Sequence, residues 1–575
     1  MNRSPPPTRD AWRMYEPKLV TVLRGGYRFA DFRADAMAGF TVAVVALPLA
    51  MALAIASGTT PEKGLHTAIV AGFLISALGG SKVQIGGPTA AFIPVVFNVI
   101  EKFGYGGLVL CTLLAGLMLI AAGLLRLGNL MKFMPQPVIT GFTAGIAVTI
   151  FSSQVKDALG LSIDKVPGEF LERWHSYFQH IDTINWAALG LTIGCFLLIV
   201  AIKRWRPNWP VLLIAVAAGS FAALALPVAT IGSTFGTLPS ALPEFDFPTI
   251  PFSRTAELFP ASFTIAFLAG VESLLSAVVA DGMTGGRHRS NAELVAQGVA
   301  NVGAALAGGL PATGAIARTA TNIRAGGRSP VAGMLHAVFI LAFMLLLAPW
   351  MRYVPLPALA AVLLMVAWNM SEVERFRHLM HSSWGDKLVL LVTFALSVLF
   401  DLTIAIEAGM VLSAFIFMDR MSRSFALESD METTEASIDA EEPEGAGSVQ
   451  RAQLPKGVEA YRLSGPLFFA AVNRLDDVID QLPHGTKVFI LRMRLVPIVD
   501  ASGETALEQL LHRCQRRGVQ AIFSGLQEQP RRLIGDMGLI LHPALLGLAK
   551  DFPDALDMAR TALEAEGMLE TPAGP

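Results

Sequence analysis

Between residues 35 and 419 the chain alternates long apolar stretches with short polar breaks. The stretches fall near 35–57, 64–80, 84–101, 106–126, 134–156, 184–202 and 208–227, and then near 258–282, 291–309, 313–326, 329–350, 355–371, 384–400 and 401–419. Most approach the roughly 20 apolar residues that a helix needs to cross a bilayer. They make two groups of seven, with a long polar break between 228 and 257. Two of the fourteen are poor helices. Leu78 to Phe92 carries Gly79-Gly80, a short extended run, then Gly86-Gly87-Pro88 and a new helix start. Ala307 to Ala325 repeats the device, with Gly308, Gly309, Pro311 and Gly314 ahead of a short helix reaching about Ile323. Broken backbone at membrane depth is tolerated only where it is buried in protein or lines a wet cavity. A half-helix start offers free N–H groups and partial positive charge, which suits an anion. Paired interrupted segments in corresponding halves point to the midplane site of a transporter.

Charge fixes the expected orientation. If the N-terminus lies inside, the loops after even-numbered spans are cytoplasmic. Those loops hold Lys82, Arg126, Lys132, Lys203, Arg204, Arg206, Arg287, Arg289, Arg324, Arg328, Arg375, Arg377, Arg420 and Arg423, while the short loops opposite hold little beyond Lys63, Lys102 and Arg352. This is a positive-inside pattern with both termini in the cytoplasm. Seven spans per half is odd, so the second half inserts upside down and the repeat is inverted. Composition agrees with a polytopic membrane protein: 53% hydrophobic, 16% charged and a net charge of −2 over 575 residues, with a mean hydropathy of +0.53. Soluble domains carry about a quarter charged residues. Cys111, Cys195 and Cys514 suggest neither a disulfide framework nor a metal site. No nucleic-acid signature, cofactor motif or nucleophile–base constellation is present, so an enzyme is not expected.

Few polar groups enter the apolar stretches, and each asks for a reason. Glu272 sits in the middle of Phe267 to Ala280, with Ser273 beside it and Ser276 one turn on. A carboxyl at that depth either carries a coupling proton or serves as hydrogen-bonded glue between helices. Arg318 either attracts the solute or balances Glu272. Thr89, Ala90, Ala91 and Phe92 open the first half-helix, and Gly314, Ala315 and Ile316 open the second. Small residues there let backbone approach a ligand, or else let helices pack closely. Pro48 interrupts the first span, either for packing or to line a cavity. Asp281, near Arg287 and Arg289, reads as structural, and Gln297 and Asn301 read as interhelical hydrogen-bonders.

The ends are polar. Residues 1–34 form a basic segment that lies on the membrane surface or is a plain cytoplasmic leader. Residues 35–423 make up the transmembrane region, with repeats at about 35–227 and 258–419. Residues 424–456 read as an acidic linker, Glu- and Asp-rich from 428 on. A small α/β pattern fills 457–566, with strands at Val458–Leu463, Lys487–Leu491 and Val519–Phe523 and helices at Asn473–Leu482 and Glu504–Arg517. Ser502, in Asp500-Ala501-Ser502-Gly503, is a candidate phosphorylation site or simply a helix cap.

These residues resemble the sulfate permease (SulP) family of anion transporters. The resemblance is carried by Asp35-Ala-Met-Ala-Gly39 with Pro48, Gly86-Gly-Pro-Thr-Ala90, Asp281-Gly-Met-Thr284 and Gly314-Ala-Ile-Ala-Arg318. The tail is similar to a STAS domain through Gly465-Pro-Leu-Phe-Phe-Ala470 and Val496-Pro-Ile-Val-Asp-Ala-Ser-Gly503. Within the family, Pro48 to Ile55, Gly87 to Phe92, Met365 to Glu372 and Gly465 to Ala471 resemble the bacterial carriers of C4-dicarboxylates. The resemblance implies an α-helical polytopic protein of fourteen spans, a 7+7 inverted repeat divided into core and gate domains, and a STAS domain behind it. It further implies an elevator-like motion, a homodimer in the bacterial inner membrane and a cytoplasmic protein partner for the STAS domain. The expected activity is proton-coupled symport of succinate or fumarate, with sulfate or bicarbonate transport as the rival reading and an anion channel as a further alternative. The family's acidic position falls on Glu272. Where sodium-coupled bicarbonate members carry Asp and two Thr, this chain has Glu272, Ser276 and Ile316, which favours a proton over sodium as the coupling ion.

Overall fold

Helices occupy every one of the fourteen apolar stretches. The computed structural model describes residues 14–128, 134–163, 166–206, 209–236, 252–400, 402–424, 426–429, 454–468 and 482–565. They fall into two units, Met1–Ser413 and Ala414–Pro575. The first begins with α1 (Lys18–Arg24), α2 (Phe29–Ala56), α3 (Pro61–Leu78) and β1 (Gly86–Gly87). A 3-10 turn (Ala90–Phe92) then runs into α4 (Ile93–Leu124), followed by α5 (Gln136–Leu159), α6 (Phe170–Gln179), α7 (Trp186–Trp205), α8 (Val211–Ala223) and α9 (Ile231–Phe235). The second half holds α10 (Thr255–Thr284), α11 (Ser290–Leu306), β2 (Thr313–Gly314), α12 (Ile316–Arg324), α13 (Pro330–Met351), α14 (Leu356–Met370), α15 (Val373–Leu379), α16 (Trp384–Leu399) and α17 (Leu402–Ser424).

Local chemistry sets the boundaries. Proline falls in the first turn of α3, α4, α5, α13 and α14, where its missing N–H would have had no partner anyway. Gly104, at φ 68° and ψ −177°, breaks α4 into the two spans expected on either side of it. Pro48 lies inside α2 without ending it. Among the described residues eight helices are long and apolar enough to cross a membrane unaided. The first half-helix is part of one of these, the helix ending at Leu124; the second, Ile316–Arg324, is among the shorter helices formed by the other stretches. The helices make two packed groups: α2, α3, α4, α10, α11, α12 and α13 in one, and α5, α7, α8, α14 and α16 in the other.

Over its described part the basic N-terminal segment is held against the transmembrane region by hydrogen bonds. Lys18 N donates to the Gly79 carbonyl at 2.9 Å. Arg289 Nη1 donates to the Glu16 carbonyl at 2.7 Å and to Thr21 Oγ1 at 3.0 Å. The segment is thus tied to the loop after α3 and to the start of α11. The motif Asp35 to Gly39 has a packing role. Asp35 is fully buried and accepts from Arg328 N at 2.7 Å, Ser329 N at 3.1 Å, Tyr27 OH at 2.8 Å and the Ser329 hydroxyl, which caps α13 with negative charge. A Cβ at Gly39 would stand 2.5 Å from the Ala332 carbonyl. Asp281 is structural as expected, accepting from the His288 backbone at 2.9 Å and its ring at 2.7 Å.

In the second unit β3 (Ala426–Ser429), β4 (Val458–Ser464), β5 (Val488–Leu495), α18 (Ala501–Arg517), β6 (Gln520–Ser524), α19 (Glu528–Asp536), β7 (Leu545–Ala549) and α20 (Phe552–Ala565) follow in order. The sheet runs β3-β4-β5-β6-β7, with β3 antiparallel to β4 and the rest parallel. The strand β3 replaces the beginning of the expected acidic linker; residues 430–453 of it, and the expected helix Asn473–Leu482 up to 481, lie outside the described residues. Asp500 rather than Ser502 caps α18, accepting from Gly503 N at 2.7 Å. Ser502 is half-buried in the first turn.

Candidate functional site

The two interrupted segments meet. Gly86 pairs with Gly314 and Gly87 with Thr313 in a two-stranded antiparallel ladder, and Ala315 N donates to the Ile85 carbonyl at 2.8 Å. This antiparallel approach is what an inverted repeat requires of its two broken members. Side chains finish the junction. Asn301 Nδ2 donates to the Ala312 carbonyl and its Oδ1 accepts from Ala312 N, both at 2.9 Å, so one amide stands in for a missing strand neighbour. Thr313 Oγ1 donates to the Ala269 carbonyl at 2.8 Å, and Asn322 Nδ2 to the Val83 carbonyl at 2.8 Å. Glycine is required at 314, where a side chain would overlap Gln84.

Both half-helices start at this ladder. Ala90, Ala91 and Phe92 are buried at the head of the first. At the second, Gly314 and Ala315 are buried, while Ile316 is 37% exposed. Arg318, 4% exposed, reaches back across the ladder. Its Nη2 donates to the Pro88 carbonyl, and a side chain on Gly87 would occupy the place of its Nη1. The next residue, Thr89, donates from Oγ1 to Glu272 Oε2 at 2.9 Å. Base and acid therefore do not pair with each other; consecutive residues of the first segment stand between them. Charge-assisted contacts of this kind contribute about 1.5–3 kcal/mol each.

Ser276 is turned to the second half-helix. Its hydroxyl donates to Thr319 Oγ1 at 3.1 Å, and the same oxygen accepts from Ile85 N at 3.1 Å. Ser273 turns the other way. It accepts from Gln84 Nε2 at 2.9 Å and donates to Glu293 Oε1 at 3.0 Å. Glu293, fully buried, also accepts from Gly80 N at 2.8 Å, Ser81 N at 3.2 Å and Gln297 Nε2 at 2.8 Å. Sequence reading missed Glu293, Gln84 and Thr319. Glu293 lies in the first turn of its helix, where an acid is ordinary, and nothing in one sequence shows that three other segments converge on it. Among the described residues no cluster of His, Cys, Asp and Glu is able to hold a metal ion.

A family model described as the sulfate permease family matches residues 32–393, which include both interrupted segments, and the STAS domain model matches 451–543. The chain belongs to the sulfate permease family. A putative sulfate transporter of Bacillus subtilis is 43% identical over 89% of this chain and 95% of its own length. A bicarbonate transporter of Synechocystis is 27% identical over 95% of this chain and 97% of its own. Among solved structures, the murine Solute Carrier 26 member A9 anion transporter shares the fold at a TM-score of 0.85 and 18% identity, over 98% of this chain and 96% of that one. The transmembrane domain of a cyanobacterial bicarbonate transporter matches at a TM-score of 0.59 and 28% identity, over 66% of this chain and 98% of that one. The SulP chain described here is therefore a multi-pass anion transporter. The two relatives from Bacillus subtilis and Synechocystis are named for sulfate and bicarbonate, so the finer resemblance to C4-dicarboxylate carriers is not supported and the resemblance stands at the level of the family.

Proposed function

We propose that this SulP protein imports a small inorganic oxyanion, sulfate first, together with protons. Two half-helix starts and one guanidinium set up positive potential at a single junction, which supports an anion site at Thr89–Phe92, Gly314–Ile316 and Arg318. The observation that carries the reading is the placement of Glu272 and Arg318 on consecutive residues of one broken segment, unpaired with each other. Glu272 then carries the proton, and Ser276 holds the second half-helix in register beside it. In this reading the group containing both half-helices moves against the other group, in a homodimer of the bacterial plasma membrane with both termini inside; the STAS domain offers a surface to a cytoplasmic protein. Sulfate uptake into proteoliposomes tests it. Stimulation by an inward proton gradient, and none by sodium, is expected. Stimulation by sodium alone would reject proton coupling. A second reading, bicarbonate as solute, is favoured by the relative at 27% identity over nearly the whole chain; saturable bicarbonate uptake that sulfate does not inhibit would replace the first.

A further inference from the structure

Behind the ladder lies a histidine that the site does not use. His336, in the second turn of α13, is 0% exposed, and neither ring nitrogen has a hydrogen-bond partner among the described residues. A buried imidazole with both nitrogens unpaired is costly, and such groups in native proteins have a cause. The surroundings indicate one. On one side α2 presents Gly39, where a Cβ would stand 3.1 Å from His336 N. On the other α3 presents Gly72, where a Cβ would stand 3.9 Å from His336 Nδ1 and 3.2 Å from the Gly86 carbonyl. The space left by that glycine thus opens the ring toward strand β1. The next residue, Gly87, lies against Arg318, whose Nε and Nη1 also lack a partner among the described residues. Two side chains with unpartnered buried nitrogens, 0% and 4% exposed, flank neighbouring glycines of one strand.

The charges around His336 are few. Its own helix has no other titratable residue, and α3 has none after His66. From α2 the acid nearest the start of α13 is Asp35, committed to Arg328 N, Ser329 and Tyr27. From α1, Lys18 and Arg24 lie toward Gly79 and Glu16. The ladder brings Arg318.

We propose that His336 is a proton-binding residue linked to the anion site, taking up one proton when an anion is drawn to Arg318. The inference rests on the reading of Arg318 as the anion's counter-charge. With the site empty, a charge on the ring is opposed first by its burial in a low-dielectric interior and then by repulsion from Arg318. A sulfate dianion at Arg318 outweighs its charge, and a proton from solvent then settles on the ring. The proton leaves when the anion leaves. Anion binding and protonation strengthen one another because they are thermodynamically linked.

The test uses the full-length protein and sulfate, which does not titrate near neutrality. Calorimetry in buffers of different ionisation enthalpy counts protons taken up per sulfate bound, in wild type, His336→Gln and His336→Asn, with thermal unfolding as the check on folding. Both variants are expected to bind sulfate, to take up about one proton fewer and to lose up to about tenfold per pH unit from the pH dependence of the dissociation constant. A proton count in His336→Gln equal to wild type overturns the role of His336 alone. Sulfate held by Arg318→Gln as tightly as by wild type refutes the anion site at Arg318, and the linkage with it.

Discussion

Two carboxylates on neighbouring helices are treated in opposite ways. Glu293, at the start of α11, accepts four hydrogen bonds from Gly80, Ser81, Ser273 and Gln297. Glu272, in the middle of α10, accepts one among the described residues, from Thr89. A carboxylate offers about four acceptor sites. Glu293 uses them to fix the loop after α3; Glu272 leaves most of its capacity unused among the described residues. The difference in unused hydrogen-bonding capacity is the ground for assigning Glu293 to structure and proposing Glu272 for coupling. Glu293→Ala leaves two buried backbone N–H groups and two side chains without their acceptor, and is expected to destabilise the protein by roughly 3–5 kcal/mol, read as a large drop in melting temperature in detergent. Glu272→Gln is expected to cost under about 1 kcal/mol in the same assay while removing the response of uptake to a proton gradient. Equal losses of stability in the two variants would break the comparison.

The next effect in size falls on the other member of the site. Among the described residues Arg318 makes one hydrogen bond, to the Pro88 carbonyl, and its Nε and Nη1 have no partner. Arg318→Ala is expected to weaken sulfate binding by about 1.5–3 kcal/mol, or about tenfold to 150-fold in dissociation constant. Arg318→Lys keeps the charge but loses the planar fork, so an intermediate value is expected. If both variants bound sulfate as wild type does, Arg318 would belong with Glu293 among the structural groups.

Much of this arrangement was legible in the chain because a bilayer permits so few solutions. The fourteen apolar stretches became helices since backbone at that depth must satisfy itself. The two Gly- and Pro-rich breaks announced the ladder for the same reason. Partner choice was not legible. Ser273 and Ser276 are three residues apart on α10, yet one turns to Gln84 and Glu293 and the other to Thr319. That outcome depends on which helices lie on each side, which periodicity does not encode. The anchoring of the basic segment before α2 was not legible either: Lys18 N bonds to Gly79, Tyr15 to the Leu124 carbonyl and the Arg289 side chain to Glu16 and Thr21, and charge alone names none of these partners. In the second unit, β3 and β7 are short strands of a mostly parallel sheet, and β3 opens an acidic stretch whose composition argues against any strand.

The smallest effect sharpens the comparison at Ser276. The sequence grouped it with Glu272 in coupling, since the two lie one turn apart. Its hydroxyl instead closes a chain from α10 through Thr319 to the backbone of Ile85. Ser276→Ala removes one of the two hydrogen bonds at Thr319 Oγ1 and leaves the other. The expected loss is about 0.5–1.5 kcal/mol of stability, with proton-driven sulfate uptake still responding to the gradient. Were Ser276 to carry or hold the coupling ion, its removal would abolish that response as Glu272→Gln does. The gradient response of Ser276→Ala therefore decides whether coupling resides in one acid with spare acceptor capacity or in a pair of polar groups on one helical face.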